Sequence, residues 1–259
     1  MSAAFSKGEI ESKIAGRFGN AFKVQEKPPV EFLSTGVKEI DALTGGVPRG
    51  AITEMFGPIS SGRTSLMFSL LAQASTHDEI CALVDTDNTF APTVAAKAGI
   101  DFDRLLWIRC ASNLEHAFKA TDLLLHAGGF GLVILDMGDV AGKDSRRIIS
   151  SWWYRFRRTV ENKLTAIIVM TQEASTRSCA SLTLELNGAV EWSRANSQID
   201  GESQDSQKGN IVQLQNKLMT NSARITQSTL LRSSSIKINR RRPLTIGLNE
   251  GQFRVQNFF

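Results

Sequence analysis

Residues 57–65 read Gly-Pro-Ile-Ser-Ser-Gly-Arg-Thr-Ser. Glycines at 57 and 62, followed by a cation and a hydroxyl, make a loop whose backbone N–H groups can converge on phosphate oxygens. A short apolar run, 51–56, precedes the loop, and an apolar helical pattern, 64–74, follows it. That setting places the partial positive charge of a helix start behind the bound phosphates. Gly57, Ser60, Ser61, Gly62, Arg63, Thr64 and Ser65 are therefore candidate nucleotide-binding residues, with the Thr64 hydroxyl a candidate magnesium ligand. Arg63 departs from the pattern. Lysine is a compact point charge that reaches between terminal phosphates, whereas arginine is a wide planar fork and does not replace it freely. Two readings stay open: a nucleotide site of reduced strength, or an inherited loop that binds none, its arginine exposed or folded over the pocket.

Carboxylates at strand ends would complete such a site. Leu132-Val-Ile-Leu-Asp136 is an apolar strand ending in an acid, the form of a magnesium-orienting carboxylate. Val84-Asp-Thr-Asp87 puts acids at another strand end. Asp87 is a candidate water-activating base, or else one of two acids capping a turn. Gln172, after Thr171, is either a sensor of a terminal phosphate or a polar strand end.

The elements that must position these residues alternate. Strands are expected at 51–56, 81–85, 105–108, 132–136 and 166–170, with helices at 37–43, 64–74, 93–98, 114–126 and 146–164. Near-continuous apolar strands interleaved with helices predict a mostly parallel sheet covered on both faces. Ile10, Ile14, Phe18 and Phe22 share one helical face, so residues 1–30 read as an N-terminal helical arm, 31–192 as the core and 193–259 as a polar and basic C-terminal region. After 182–186 and 189–192 the composition changes. Beyond these, 195–210 reads as a polar mobile loop and 211–231 as helical. Strands at 236–239, 244–248 and 253–255, with a turn at 249–251, make the antiparallel C-terminal part.

Composition narrows the function classes. The 259 residues contain three cysteines and three histidines, at spacings that fit neither a zinc site nor a disulfide framework. No apolar run approaches the roughly 18 residues of a membrane span, and the N-terminus is mixed and polar, so a cytoplasmic protein is expected. The net charge of +4 is unevenly placed: residues 1–140 carry −5 and residues 141–259 carry +9. The basic half is a candidate nucleic-acid surface, single-stranded DNA included, or a solvated basic face. Arg155, Arg157 and Arg158 on the expected 146–164 helix, and Arg240, Arg241 and Arg242 ahead of Pro243, are its candidate contact residues.

The stretches Ser34-Thr-Gly-Val, Gly45-Gly-Val-Pro-Arg-Gly50, Glu54-Met-Phe-Gly-Pro-Ile-Ser-Ser-Gly62, Val84-Asp-Thr-Asp and Ala96-Lys-Ala-Gly-Ile-Asp resemble the core of the RecA recombinases over roughly residues 32–172. The resemblance implies a RecA-like fold. It places the catalytic lysine of those proteins at Arg63, the catalytic glutamate at Asp87, and the glutamine that couples ATP to DNA at Gln172. The spaces for two DNA-binding loops, after Asp136 and after Gln172, are short. The stretches 47–54, 60–66, 119–136 and 177–180 resemble the ImuA family of RecA-like accessory proteins of mutagenic repair. That resemblance implies a non-catalytic scaffold in SOS-induced translesion synthesis. It would bind ImuB and an error-prone DNA polymerase, with RecA a further partner and ATP with magnesium a conditional cofactor. The alternatives are a DNA-stimulated ATPase or recombinase, and a SulA-like cell-division inhibitor. The N-terminal helix resembles the arm by which RecA neighbours dock, so self-association is also expected.

Overall fold

The computed structural model describes residues 6–18, 29–140, 148, 150–192, 231–243 and 249–256. The chain divides into two compact units, Met1–Val30 and Glu31–Phe259. In the first, helix α1 (Lys7–Phe18) opens with a reciprocal cap. Ser6 donates its N–H and hydroxyl to Glu9 Oε2 at 2.9 and 3.1 Å, and Glu9 N–H donates back to Ser6 Oγ at 3.4 Å. Residue 22 of the expected helical face lies outside the described residues.

The second unit is built on one eight-stranded sheet. Two-residue strands β1 (Phe32–Leu33) and β2 (Val47–Pro48) pair beside it, flanking helix α2 (Lys38–Thr44). The sheet contains β3 (Ile52–Phe56), β4 (Cys81–Asp85), β5 (Leu105–Arg109), β6 (Leu132–Asp136), β7 (Ala166–Thr171), β8 (Ala180–Trp192), β9 (Leu231–Arg242) and β10 (Glu250–Gln256). Their order is β10-β9-β8-β3-β7-β6-β4-β5. Neighbours from β8 to β5 run parallel, and β9 and β10 add antiparallel pairs at one edge. The expected α/β class, mostly parallel with antiparallel C-terminal strands, is what forms.

The sheet is buried on both faces because alternate residues of each strand feed different cores. Leu132 and Ile134 of β6 join Leu83, Ile168 and Met170 on the side where helix α3 (Arg63–Thr76) packs through Leu66, Met67, Leu70 and Leu71. Val133 and Leu135 join Val84, Ile167 and Val169 on the other side. There helices α5 (Leu114–Ala127) and α6 (Ser150–Val160) supply Phe118, Leu125, Trp153 and Phe156. Phe118 stacks on Phe156 at 5.7 Å and meets Trp153 edge-on at 5.1 Å. Helix α4 (Pro92–Lys97) starts on a proline, whose fixed φ suits a first turn.

Several expectations are corrected. The helix expected over 146–164 stops at Val160, where Lys163 N–H turns back to the Val160 carbonyl and Asn162 takes φ 67°. Strand β8 runs unbroken through Asn187 and Gly188, which keep their pairing with β9. The turn expected at 249–251 is already strand at Glu250 and Gly251, which pair with Asn239 and Ile238. The expected loop 195–210, strand 244–248 and most of the expected helix 211–231 lie outside the described residues. Strands β9 and β10, from the C-terminal region, lie in the same sheet as β3. Among the described residues, no helix is long and apolar enough to cross a membrane.

Candidate functional site

The ends of β3, β7, β6 and β4 form a row along the carboxyl edge of the sheet, through the pairs Phe56–Thr171, Asp136–Met170 and Asp85–Asp136. The phosphate-type loop leaves β3 at this edge, with Gly57 N–H donating to the Thr171 carbonyl at 3.2 Å. Gly62 has φ +95°, a conformation that side chains rarely adopt, and from it α3 starts without a side-chain cap. Gly188 of β8 is required for a different reason: a Cβ there would lie 2.3 Å from the Ser60 carbonyl oxygen. The β8–β9 pair thus supports the loop from beneath, and Ile236 of β9 lies against Gly62.

Arg63 is buried, and its guanidinium reaches across the site. Nη2 donates to the Gly138 carbonyl at 3.0 Å. The Gly138 N–H in turn donates to Asp136 Oδ1 at 2.9 Å. A Cβ at position 138 would lie 2.8 Å from Arg63 Nη1 and 3.0 Å from Asp136 Oδ1, so glycine is what lets cation and carboxylate approach. Burial pushes the Asp136 carboxyl up to about 6, and the negative charge of Asp85 adds to this; the Gly138 N–H and Arg63 act in the opposite sense. Burial lowers the Arg63 pKa, against the pull of Asp136 and Asp139.

The same edge gathers polar atoms that have no protein partner. Among the described residues, Ser61 Oγ, Arg63 Nη1, Thr86 Oγ1, Asp87 Oδ2 and Thr171 Oγ1 are buried and make no hydrogen bond, and only Thr53 Oγ1 and Asn239 Oδ1 share that condition elsewhere. Buried polar atoms are nearly always paired, so their concentration here marks a place for a polar ligand. The phosphate part of a nucleotide fits this edge: Ser61 Oγ, Arg63 Nη1 and the uncapped start of α3 all offer donors. A magnesium ion fits poorly. Thr64 is exposed, Asp136 already receives Gly138 N–H, and the arginine fork lies where a hydrated ion would meet the carboxylate.

The other candidate residues are distributed as follows. Ser60 and Thr64 are exposed on the loop, Ser65 lies in the first turn of α3, and half-buried Gln172 follows directly on Thr171. Asp87 lies just beyond β4, with the ends of β7 and β6 between it and the loop. The adjacent Asp85 is a turn-forming acid: it accepts from the N–H groups of Thr89 and Phe90 and from Trp107 Nε1, at 3.0 to 3.2 Å.

The six arginines do not form one basic face. Arg155 is committed to Asp122 through two bonds of 2.6 and 2.5 Å, while Arg157 and Arg158 are exposed near the end of α6. Arg240 donates to the Leu43 carbonyl at 2.6 Å, Arg241 to Glu185 at 2.7 Å and Arg242 to the Arg177 carbonyl at 2.9 Å. Successive strand residues point to opposite faces, which separates Arg241 from its neighbours. Burial raises the pKa of Cys179, and the charges of Arg157 and Arg242 act in the opposite sense.

Two positions that shape this edge have no place among the residues singled out from the sequence. Gly138 had no signal beyond its place two residues after Asp136. Glu54 did have one, as the lone acid in an apolar strand. It is 1% exposed and ties the segment after β7 to β3. Oε1 accepts from Ser175 N–H at 2.6 Å and Thr176 N–H at 2.8 Å, and Oε2 accepts from Thr176 Oγ1 at 2.8 Å. The segment from Gln172 to β8 is therefore short and anchored. Among the described residues, no group of three or more His, Cys, Asp or Glu side chains is placed to hold a metal ion.

Comparison with known proteins agrees with this geometry. The RecA N-terminal domain matches residues 8–146. Protein RecA of Rickettsia canadensis (strain McKiel) is 38% identical over 122 residues, 46% of this chain and 35% of that protein. Protein RecA of Methylobacterium sp. (strain 4-46) is 38% identical over 138 residues, 52% of this chain and 36% of that protein. The chain thus spans little more than a third of the length of these relatives. With more than half of its residues matched and the strand–loop–helix at the expected sheet edge, the chain belongs to the RecA N-terminal domain family.

Proposed function

We propose that this protein is a RecA-fold accessory that works by contact and not by turnover: a scaffold in damage-induced translesion synthesis, binding ImuB and an error-prone polymerase, with RecA as a further partner. The observation that carries the non-catalytic part is the placement of Arg63. Its guanidinium is buried and donates to the Gly138 carbonyl beside Asp136. The cation and carboxylate that a hydrolysing site would direct to phosphate and metal are both engaged by Gly138, Arg63 through its carbonyl and Asp136 through its N–H. The short segment after Gln172, held by Glu54, supports the same reading, because it leaves little chain for an extended DNA-binding loop. The partner assignment rests on the ImuA-like stretches. It is tested by pull-down of the full chain against ImuB, the polymerase and RecA, and failure to bind any of the three would sink it.

A second reading, an ATP-binding and DNA-stimulated ATPase, is favoured by the unpartnered Ser61 Oγ, Thr86 Oγ1 and Thr171 Oγ1 at the sheet edge. Phosphate release with and without single-stranded DNA separates the two. A rate above that of Asp136→Ala supports the ATPase, and equal rates support the scaffold.

A further inference from the structure

We propose that Arg63 takes the place of the divalent cation: the loop accepts a phosphate-bearing ligand with the arginine fork, not magnesium, bridging it to the end of β6. The inference deepens the non-catalytic reading above and rests on it, since a site without metal needs no turnover.

The donors come first. Ser61 is 1% exposed and Arg63 is 7% exposed, yet Ser61 Oγ and Arg63 Nη1 find no acceptor. Both lie on one loop, at the start of a 14-residue helix that has no side-chain cap. Two buried donors and a helix start together call for an anion.

The metal's position is the second point. Magnesium demands a near-octahedral shell and keeps several of its waters, so it needs a carboxylate with open space around it. Asp136 offers little. It is 8% exposed, and Oδ1 receives the Gly138 N–H at 2.9 Å. The point where a Cβ of residue 138 would stand is 3.0 Å from that oxygen and 2.8 Å from Arg63 Nη1, so the two side chains crowd the same place. The guanidinium carries its charge at any working pH and has five N–H donors in a fork. Nη2 can stay on the Gly138 carbonyl while Nη1 meets a phosphate oxygen, which is the bridging role of the ion carried by a side chain.

The test is calorimetric titration of the full chain with ATP, once in EDTA and once in excess magnesium. The expected result is a pair of dissociation constants within about twofold of each other. Arg63→Lys, whose point charge cannot both bridge and bind, is expected to lose about tenfold or more in EDTA and to recover with magnesium. Ser61→Ala, which leaves the fork in place, is expected to weaken binding equally in both buffers. ATP binding by the unaltered chain that requires magnesium, or no ATP binding in either buffer, would overturn the proposal without needing any variant to fold. Phosphate release is scored in the same samples, so a failure of the non-catalytic reading is distinguished from a failure of this one.

Discussion

The guanidinium of Arg63 and the backbone of Gly138 meet at 3.0 Å, and the absence of a side chain at 138 is what permits it. The pair joins the start of α3 to the end of β6 across the carboxyl edge of the sheet. Replacing Gly138 by alanine places a methyl group 2.8 Å from Arg63 Nη1 and 3.0 Å from Asp136 Oδ1. Both neighbours are ends of side chains and can yield, so a cost of about 1–2 kcal/mol is expected in urea denaturation. In an Arg63→Ala background the part of that cost due to the arginine should vanish, while the contact with Asp136 remains. Additive losses in the double mutant would refute the contact as the cause.

Asp136 sets a pH dependence of stability. Its pKa in the folded protein, about 6, lies above the ordinary 3.8, so the native state holds the proton more tightly than the unfolded chain does. Stability from this group therefore falls as pH rises between about 4 and 6, and is level above. At neutral pH the buried charge costs on the order of 2–3 kcal/mol. Asp136→Asn keeps an acceptor for the Gly138 N–H and removes the charge. It should raise the melting temperature at pH 7, with the gain shrinking toward pH 4. A gain that does not change with pH would count against burial as the cause.

Glu54 anchors the segment after β7 through four bonds of 2.6 to 3.2 Å. Glu54→Ala leaves the Ser175 and Thr176 N–H groups without their acceptor and a gap in β3. A loss of about 2–4 kcal/mol is expected in denaturant unfolding. Glu54→Gln keeps one acceptor oxygen and should cost less. Equal losses for the two would show that shape alone matters there.

The three cysteines should be inert in the folded protein. Burial raises the pKa of all three, that of Cys81 to about 12 with help from Glu79, and all three are buried. Thiolate is the reactive form, so a thiol-specific reagent should label the native chain slowly and label all three sites in denaturant. Rapid labelling of the native chain would show that the core around Cys81, Cys110 or Cys179 opens.

The strand–loop–helix at 51–74, the strands at 81–85 and 132–136 and the α/β class were readable in the sequence, because they rest on local periods and on glycines at fixed spacing. Strand β6 is apolar at every position before its acid, which is the mark of burial on both faces. The direction of the Arg63 side chain was not readable. It depends on Gly138, 75 positions away, being brought alongside by the parallel order β3-β7-β6. Nor could residue types separate the arginines: Arg155 faces Asp122 only once α6 packs on α5, and Arg240 reaches the Leu43 carbonyl only once β9 passes α2. Residue type and spacing determine which groups are available and which element carries them. Tertiary structure alone decides which of those groups pair with each other and which remain for a ligand, because pairing depends on a distance in space that chain separation does not encode.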